Sequence, residues 1–271
     1  MTATMDRPTE EAPSGGNVPL VELKNVGKTY GNITALKGIS LRVHAGEVTG
    51  ILGDNGAGKS TLIKIIAGLH QPTDGELLVD GEPTKFSSPA DALGKGIATV
   101  YQNLAVVPLM PVWRNFFLGQ EIRKKSFPWA LDANAMRGTT LTELAKMGIE
   151  LPDVDVPIGS LSGGQRQCVA IARAVFFGAR VLILDEPTAA LGVKQSGVVL
   201  KYITAAKEAG FGVVFITHNP HHAHMVGDHF VLLNRGRQKL DCSYDEITLE
   251  HLTQQMAGGD ELEALSHELG R

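Results

Sequence analysis

Nine residues, Gly53-Asp54-Asn55-Gly56-Ala57-Gly58-Lys59-Ser60-Thr61, form a glycine loop that closes on a lysine and two hydroxyls. The spacing is G-x-x-x-x-G-K-[ST]. Glycines let a backbone curl until successive N–H groups converge on phosphate oxygens, and a helix that begins there turns its positive end to the same point. In that frame Lys59 reaches the β- and γ-phosphates of a nucleoside triphosphate, and the Ser60 hydroxyl binds Mg2+. Farther on, Val181 to Pro187 (VLILDEP) is an apolar run that delivers two carboxylates. Asp185 suits Mg2+ held through its water shell, and Glu186 suits the orientation or deprotonation of an attacking water. Leu161-Ser162-Gly163-Gly164-Gln165 is a second glycine-rich turn that runs into a helix. Ser162 and the N–H groups of Gly163 and Gly164 make another anion site there. One nucleotide needs only one phosphate cradle. Two in one chain make sense if the second caps the γ-phosphate held by another copy, so that a two-fold dimer buries two nucleotides between its halves.

Such groups have to be carried by strands that end side by side. Leu20 to Val26 and Ile39 to Val43 alternate apolar with polar, as half-buried strands do. Glu47 to Leu52 enters the first glycine loop and Ser60 to Gly68 leaves it as a helix. Gly75 to Pro83 predicts a hairpin, with Asp80-Gly81 supplying the turn. Ile97 to Val100 reads as a short buried strand. From Met110 to Leu151 helical spacing dominates, which predicts a helical subdomain inserted over about residues 105–175. Strands at Val181–Asp185, Gly212–Thr217 and His229–Asn234 then alternate with helices from Val193 to Ala209 and from Pro220 to Val226. The pattern predicts an α/β fold with a mainly parallel sheet, an antiparallel β subdomain at the N-terminal side and the helical insert.

Composition narrows the function. The chain has 271 residues, 43% of them hydrophobic, a net charge of −4 and no run of lysine and arginine, which argues against nucleic acid as a partner. Its two cysteines, Cys168 and Cys242, stand far apart without metal-ligand spacing and fit a reducing compartment. Residues 1–18 are polar, rich in proline and glycine and without the apolar core of a secretion signal; they read as a disordered leader. No apolar run is long enough to cross a bilayer, so work at a membrane would need another polypeptide to span it. The tail over 246–271 reads as helical around Gly258-Gly259, with Leu262, Leu265 and Leu269 on one stripe that packs on the protein's own core.

With these motifs the chain resembles the ATP-binding subunits of ABC transporters, over about residues 19–245. The resemblance implies ATP with Mg2+ as the nucleotide, and it assigns further roles. Tyr30, in KTYGN, stands where that family stacks an aromatic on adenine. Gln102 matches its metal- and water-sensing glutamine, and begins a stretch to Leu118 that touches membrane subunits unless it is subdomain core. His218, in FITHN, matches the histidine that contacts the γ-phosphate. The surrounding HNPHHAH lacks the HExxH spacing of a zinc site. The phrases SSPADALGKGIATVYQNLAVVPLMPVWRNFFLGQE, EPTAALGVKQ and THNPHHA are similar to the ATPases of monosaccharide uptake. Its single-domain members would act as homodimers with separate permease subunits and an external sugar-binding protein, on the cytoplasmic face of the membrane. One position departs from the wider family, which follows Leu191 with an aspartate that reaches across the dimer; here the residue is Gly192. Two other classes compete. A soluble ABC ATPase acting on ribosomes or DNA usually brings tandem halves, basic segments or long coiled-coil insertions, none of which the sequence contains. A metabolite kinase would need an acceptor site and has no use for LSGGQ.

Overall fold

The computed structural model describes residues 18–257. The leader read over residues 1–18, apart from its last residue, and the leucine stripe of the tail lie outside the described residues.

Five strands carry the centre of the molecule because they are short apolar runs that can be covered on both faces. They are β3 (Val48–Leu52), β6 (Ile97–Val100), β7 (Val181–Asp185), β8 (Gly212–Thr217) and β9 (His229–Asn234). With β10 (Arg237–Ser243) they form a sheet of order β10-β9-β3-β8-β7-β6, parallel throughout except for the antiparallel β9–β10 pair. Side chains alternate between two cores. Ile51, Ile183, Val214, Ile216 and Val231 face one, where helix α1 (Lys59–Ile66) contributes Leu62, Ile65 and Ile66. Leu52, Leu182, Leu184, Phe215 and Phe230 face the other, where α5 (Gly163–Phe176) contributes Val169 and Ile171 and α6 (Val193–Glu208) contributes Val199 and Ile203.

The first core is roofed by a second, antiparallel sheet. It comprises β1 (Val21–Tyr30), β2 (Ile33–Val43), β4 (Asp74–Val79) and β5 (Glu82–Pro83) in the order β2-β1-β4-β5. The β4–β5 turn uses Asp80 at φ 53° and Gly81 at φ 80°, the left-handed pair that a two-residue hairpin needs. The strict alternation read over Leu20–Val26 does not hold. The register jumps between Leu23 and Val26 around Asn25 (φ 52°), and the extra residue of this bulge carries β1 on to Tyr30. Strand β2 also begins earlier than its pattern suggested. Lys37 donates to the carbonyl of Gly236, tying β2 to the turn between β9 and β10 (2.8 Å).

Between β6 and β7 lie α3 (Val112–Phe116), α4 (Ala133–Lys146) and α5, with α2 (Pro89–Gly94) preceding β6. The helical reading of Met110 to Leu151 is too generous: the connection from Phe117 to Asp132 is made of turns and an isolated antiparallel bridge, Arg123 to Leu131. Pro128 lacks the N–H a helix would use there, and Gly119 takes φ 82°. The apolar stretch after Gln102 also divides. Val112 and Trp113 are core, whereas Leu109 is 89% exposed. Phe116 and Phe117 of the α3 end pack with Phe176 and Phe177 of the α5 end, at centroid distances of 5.5 to 6.2 Å. The remaining helices are α7 (Pro220–Val226) and α8 (Leu249–Met256).

Asn115 holds the loop that leaves β6. It is buried; its Oδ1 accepts from the N–H of Val107 (2.8 Å), and its Nδ2 donates to the carbonyls of Val107, Met110 and Pro111 (3.1, 2.9 and 3.2 Å). Asn115→Ala leaves the Val107 N–H without its acceptor, while the three carbonyls keep backbone donors at Met110, Ile158 and Asn115, and it should cost about 1–3 kcal/mol. A urea midpoint that falls at unchanged slope, with faster exchange of the Val107 amide, would report this. An unchanged midpoint would show that the loop holds itself.

Candidate functional site

Parallel order brings the C-terminal ends of β3, β8 and β7 to one edge, with β8 in the middle: Leu52 pairs with Thr217, and Asp185 with Ile216. The residue after each strand therefore meets its neighbours. Gly53 follows β3, His218 follows β8 and Glu186 follows β7.

Two glycines of the loop are required by close approach. At Gly53 (φ 148°) a Cβ would stand 2.4 Å from the carbonyl oxygen of Leu233 and 2.9 Å from the Cβ of Ala57. At Gly58 (φ 107°) it would stand 2.7 Å from Leu36 Cδ2. Gly58 is the N-cap of α1, and no side chain caps that helix, so its first N–H groups are left to a ligand. The Ala57 carbonyl accepts from Gly236 (2.9 Å), which braces the loop against the β9–β10 turn.

Lys59, only 7% exposed, lies under the loop. Its Nζ donates to the carbonyls of Gly53 (2.5 Å) and Asp54 (3.1 Å) and stands 3.9 Å from Glu186 Oε1. Glu186 Oε2 lies 2.8 Å from His218 Nδ1. Glu186 has a left-handed backbone, φ 47°, held by its N–H to the carbonyl of Ile216 (2.9 Å). Three residues from three elements thus form one continuous chain of charge and hydrogen bonds. Burial pushes the neighbouring Asp185 carboxyl up, Glu186 pushes it further, and Lys59 pulls the other way. Tyr101 is raised by burial and then by Asp185, which brings the β6 exit electrostatically close to this carboxylate. Ser60 is exposed in the first turn of α1. A hydroxyl and a carboxylate are the hard oxygen donors that Mg2+ takes, and a cation there would offset the burial and repulsion that raise Asp185.

The other sequence-derived residues stand apart. Gln102 is exposed just past β6, and among the described residues no hydrogen bond joins it to the cluster. Tyr30 ends β1 with its ring edge-on to His70 (5.6 Å) and Lys28 Nζ 5.2 Å from its centroid. Ser162 and Gln165 form a capping box on α5: Gln165 N–H donates to Ser162 Oγ (3.3 Å), and Ser162 N–H to Gln165 Oε1 (2.9 Å). Gly163 and Gly164 pack on the start of α6, where added Cβ atoms would meet Leu191 Cδ2 at 2.6 Å and the Gln195 carbonyl oxygen at 3.2 Å. Among the described residues no hydrogen bond or ion pair joins this turn to residues 53–61. Gly192 is the N-cap of α6 at φ −69°, with open space where a Cβ would go.

Sequence reasoning passed over Thr188 and His222, whose Oγ1 and Nδ1 lie 2.9 Å apart. This bond links the loop after Glu186 to the helix after His218, and so steadies both. A threonine in EPTAAL and a histidine in HNPHHA were the available signal, but only the strand order places them together. Burial, then the nearby His221 and His218, hold His222 below the usual histidine range.

The chain is similar to known proteins along most of its length. The family described as ABC transporter matches residues 36–189. The chain is 43% identical to the xylose/arabinose import ATP-binding protein XylG of Sulfolobus acidocaldarius, over 88% of this chain and 93% of that protein. It is 40% identical to the fructose import ATP-binding protein FrcA of Rhizobium meliloti, over 90% and 95%. Against a ribose import ATP-binding protein of Rubrobacter xylanophilus it is 37% identical and spans 47% of that longer chain. Among solved structures, a dimeric ATP-binding cassette in a post-hydrolysis state bound to ADP and Pi superposes with a TM-score of 0.69 at 31% identity, over 83% of this chain and 98% of that one.

Two substitutions separate binding from stability at this edge. Lys59→Ala removes the one ammonium under the loop and should weaken nucleotide binding by at least about tenfold in calorimetry. Asp185→Asn should instead make the nucleotide-free protein more resistant to urea at neutral pH. A raised carboxyl stabilises the folded state least when ionised, so the advantage of asparagine should grow as pH rises through the carboxylate range. A constant difference between the two proteins over that range would remove this account of Asp185.

Proposed function

The chain belongs to the ABC transporter family of ATP-binding proteins, and from that premise we propose that it is the ATP-hydrolysing subunit of a monosaccharide importer, acting as a two-fold dimer beneath separate permease subunits on the cytoplasmic face of a membrane. The observation that carries the reading is the separation of two anion-binding turns within one chain. The loop with Lys59 has its own uncapped helix end, while the Ser162 turn packs on α6. A second copy turned by a two-fold axis presents its Ser162–Gln165 turn to the γ-phosphate held over the first copy's Gly53–Thr61.

Within each half, Lys59 moves its donors from the Gly53 and Asp54 carbonyls to phosphate oxygens. Glu186 orients the attacking water and takes its proton, and His218, already bonded to Glu186, contacts the γ-phosphate. Tyr30 supports the adenine from the edge of the antiparallel sheet. Mg2+ would be held by Ser60, Asp185 and Gln102 and would neutralise charge developing on the phosphates. The names of the relatives cover pentoses and a hexose, which supports monosaccharides as the cargo class; an external binding protein delivers the sugar. The xylose/arabinose and fructose proteins are import proteins that the chain matches over nearly their full length, which favours transport over a soluble role on ribosomes or DNA. No described helix is long and apolar enough to cross a membrane. We take the permease to meet the exposed part of the Gln102–Leu118 stretch together with a groove of about 290 Å3 beside the β6 exit, lined by Leu93, Tyr101, Gln120, Arg173 and Phe177.

Two experiments test the shared site. Glu186→Gln should bind Mg-ATP yet hydrolyse it at least about a hundredfold more slowly, and accumulate as a dimer by light scattering. Ser162→Ala should keep ATP affinity as a monomer and lose turnover. A Glu186→Gln protein that stays monomeric at high ATP and protein concentrations would count heavily against the model.

Gly192 offers a separate test of cross-talk. Its φ of −69° and the open space around it accept an aspartate, which as an N-cap should add a few tenths of a kcal/mol to stability. The native glycine has no carboxylate to tie one site to the other, so hydrolysis by the isolated protein should show a Hill coefficient near one. Gly192→Asp should raise it. Steep cooperativity in the native protein, where dimerisation is not limiting, would place the coupling elsewhere.

A further inference from the structure

The connection between α3 and α4 projects a small hairpin whose tip is apolar and cationic together. Its base is closed by Asp132 N–H to the Ile122 carbonyl (2.8 Å) and Lys124 N–H to the Ala130 carbonyl (2.9 Å). Its tip is closed by Ala130 N–H to the Phe127 carbonyl (2.9 Å), with Arg123 Nη1 donating to the Pro128 carbonyl (3.1 Å). The backbone is thus held by its own hydrogen bonds although it is neither helix nor sheet. On it stand Phe127, 53% exposed, and Trp129, 77% exposed, packed edge to face at 5.6 Å. Lys124 and Lys125 are exposed beside them, and no acidic residue lies between Arg123 and Leu131. The chain's other tryptophan shows the contrast: Trp113 is buried, with Nε1 donating to Asp155 (2.9 Å).

Two large exposed rings on a rigid turn need a partner that accepts both apolar and cationic groups. An interfacial bilayer region does so: tryptophan and phenylalanine settle at headgroup depth while lysines meet lipid phosphates. Position agrees, because Gln120 at the root of the hairpin lines the groove assigned to the permease. Charge agrees as well, since Lys124 and Lys125 complement anionic headgroups with no acidic residue between Arg123 and Leu131 to oppose them.

We propose that the tip formed by Lys124, Lys125, Phe127 and Trp129 rests on the anionic headgroup layer of the membrane that holds the permease. The proposal builds on the transport reading above. Two lysines and two rings make a weak contact, so the tip does not anchor the isolated chain; it adds to the permease contact and sets the tilt of the subunit against the bilayer.

The test uses the purified full chain with vesicles of neutral phosphatidylcholine, or of the same lipid containing about one third phosphatidylglycerol. At low ionic strength and high lipid, Trp129 emission should shift to the blue and the sedimented fraction should be about tenfold greater on the anionic vesicles. Lys124→Glu/Lys125→Glu should remove the anionic preference. Phe127→Ala/Trp129→Ala should lower sedimentation about tenfold, and neither pair should change ATP turnover. Equal sedimentation on both vesicle types, or unchanged anionic binding by the variants, would overturn the proposal. So would a Phe127→Ala/Trp129→Ala protein that loses its permease in detergent, where no bilayer exists. That result would make the hairpin a protein contact and leave the transport reading standing, whereas failure to co-purify any permease would strike the transport reading itself.

Discussion

An ammonium group kept almost wholly out of water is costly unless oppositely polarised groups surround it, and the structure is arranged around that requirement at Lys59. Two backbone carbonyls of its own loop and the carboxylate of Glu186 meet the demand. The carbonyls can point inward only because the loop turns tightly at glycines. The carboxylate can arrive only if β7 ends one strand away from β3, with β8 between them. Sheet order, glycine placement and the start of α1 therefore answer to one charge. When phosphate oxygens approach, the same ammonium can exchange neutral acceptors for charged ones, which turns a structural cost into binding energy.

The acidic side of the edge carries the opposite burden. Glu186 sits in a left-handed backbone that a non-glycine residue adopts at a cost, and Asp185 beside it is raised by burial and repulsion. Both are tolerated because β7 is buried on both faces and hydrogen-bonded to β6 and β8, and because Thr188 and His222 tie the following loops together. Such strain is what selection for stability alone would remove.

The parallel core and the glycine loop that leads into α1 were legible because each is local. A strand covered on both faces is a continuous apolar run, and a phosphate loop must place its glycines and lysine at set offsets, so both appear as short strings. The hairpin at Asp80-Gly81 was readable for the same reason. The bulge at Asn25 was not, because it is decided by pairing with β2. Helical spacing between Met110 and Leu151 misled: turns from Phe117 to Asp132 carry apolar residues at helix-like intervals, and only Pro128 and Gly119 argued otherwise. Gln165 had a simpler reading as well. With Ser162 it makes a capping box, a signature visible in S-x-x-Q, so local helix chemistry alone accounts for its presence in the turn. Asn115 gave no pattern because its partners are backbone groups of an irregular loop, and the four phenylalanines gave none because their partners are set by how α3 meets α5.

Helix α5 has a different business at each end. At its start stands the Ser162 turn; at its finish Phe176 and Phe177 are wedged against Phe116 and Phe117, and Phe177 also lines the groove beside β6. Fourteen residues make a rod about 21 Å long. Close-packed aromatic rings barely compress, so a push at the groove is not absorbed where it lands. Delivered as a tilt of the whole rod, a few degrees at the wedge would become an ångström-scale displacement of the serine at the far tip. The helix is, in mechanical terms, a stiff lever whose fulcrum is aromatic, and softening that fulcrum would uncouple the groove from the distant serine without touching the serine turn.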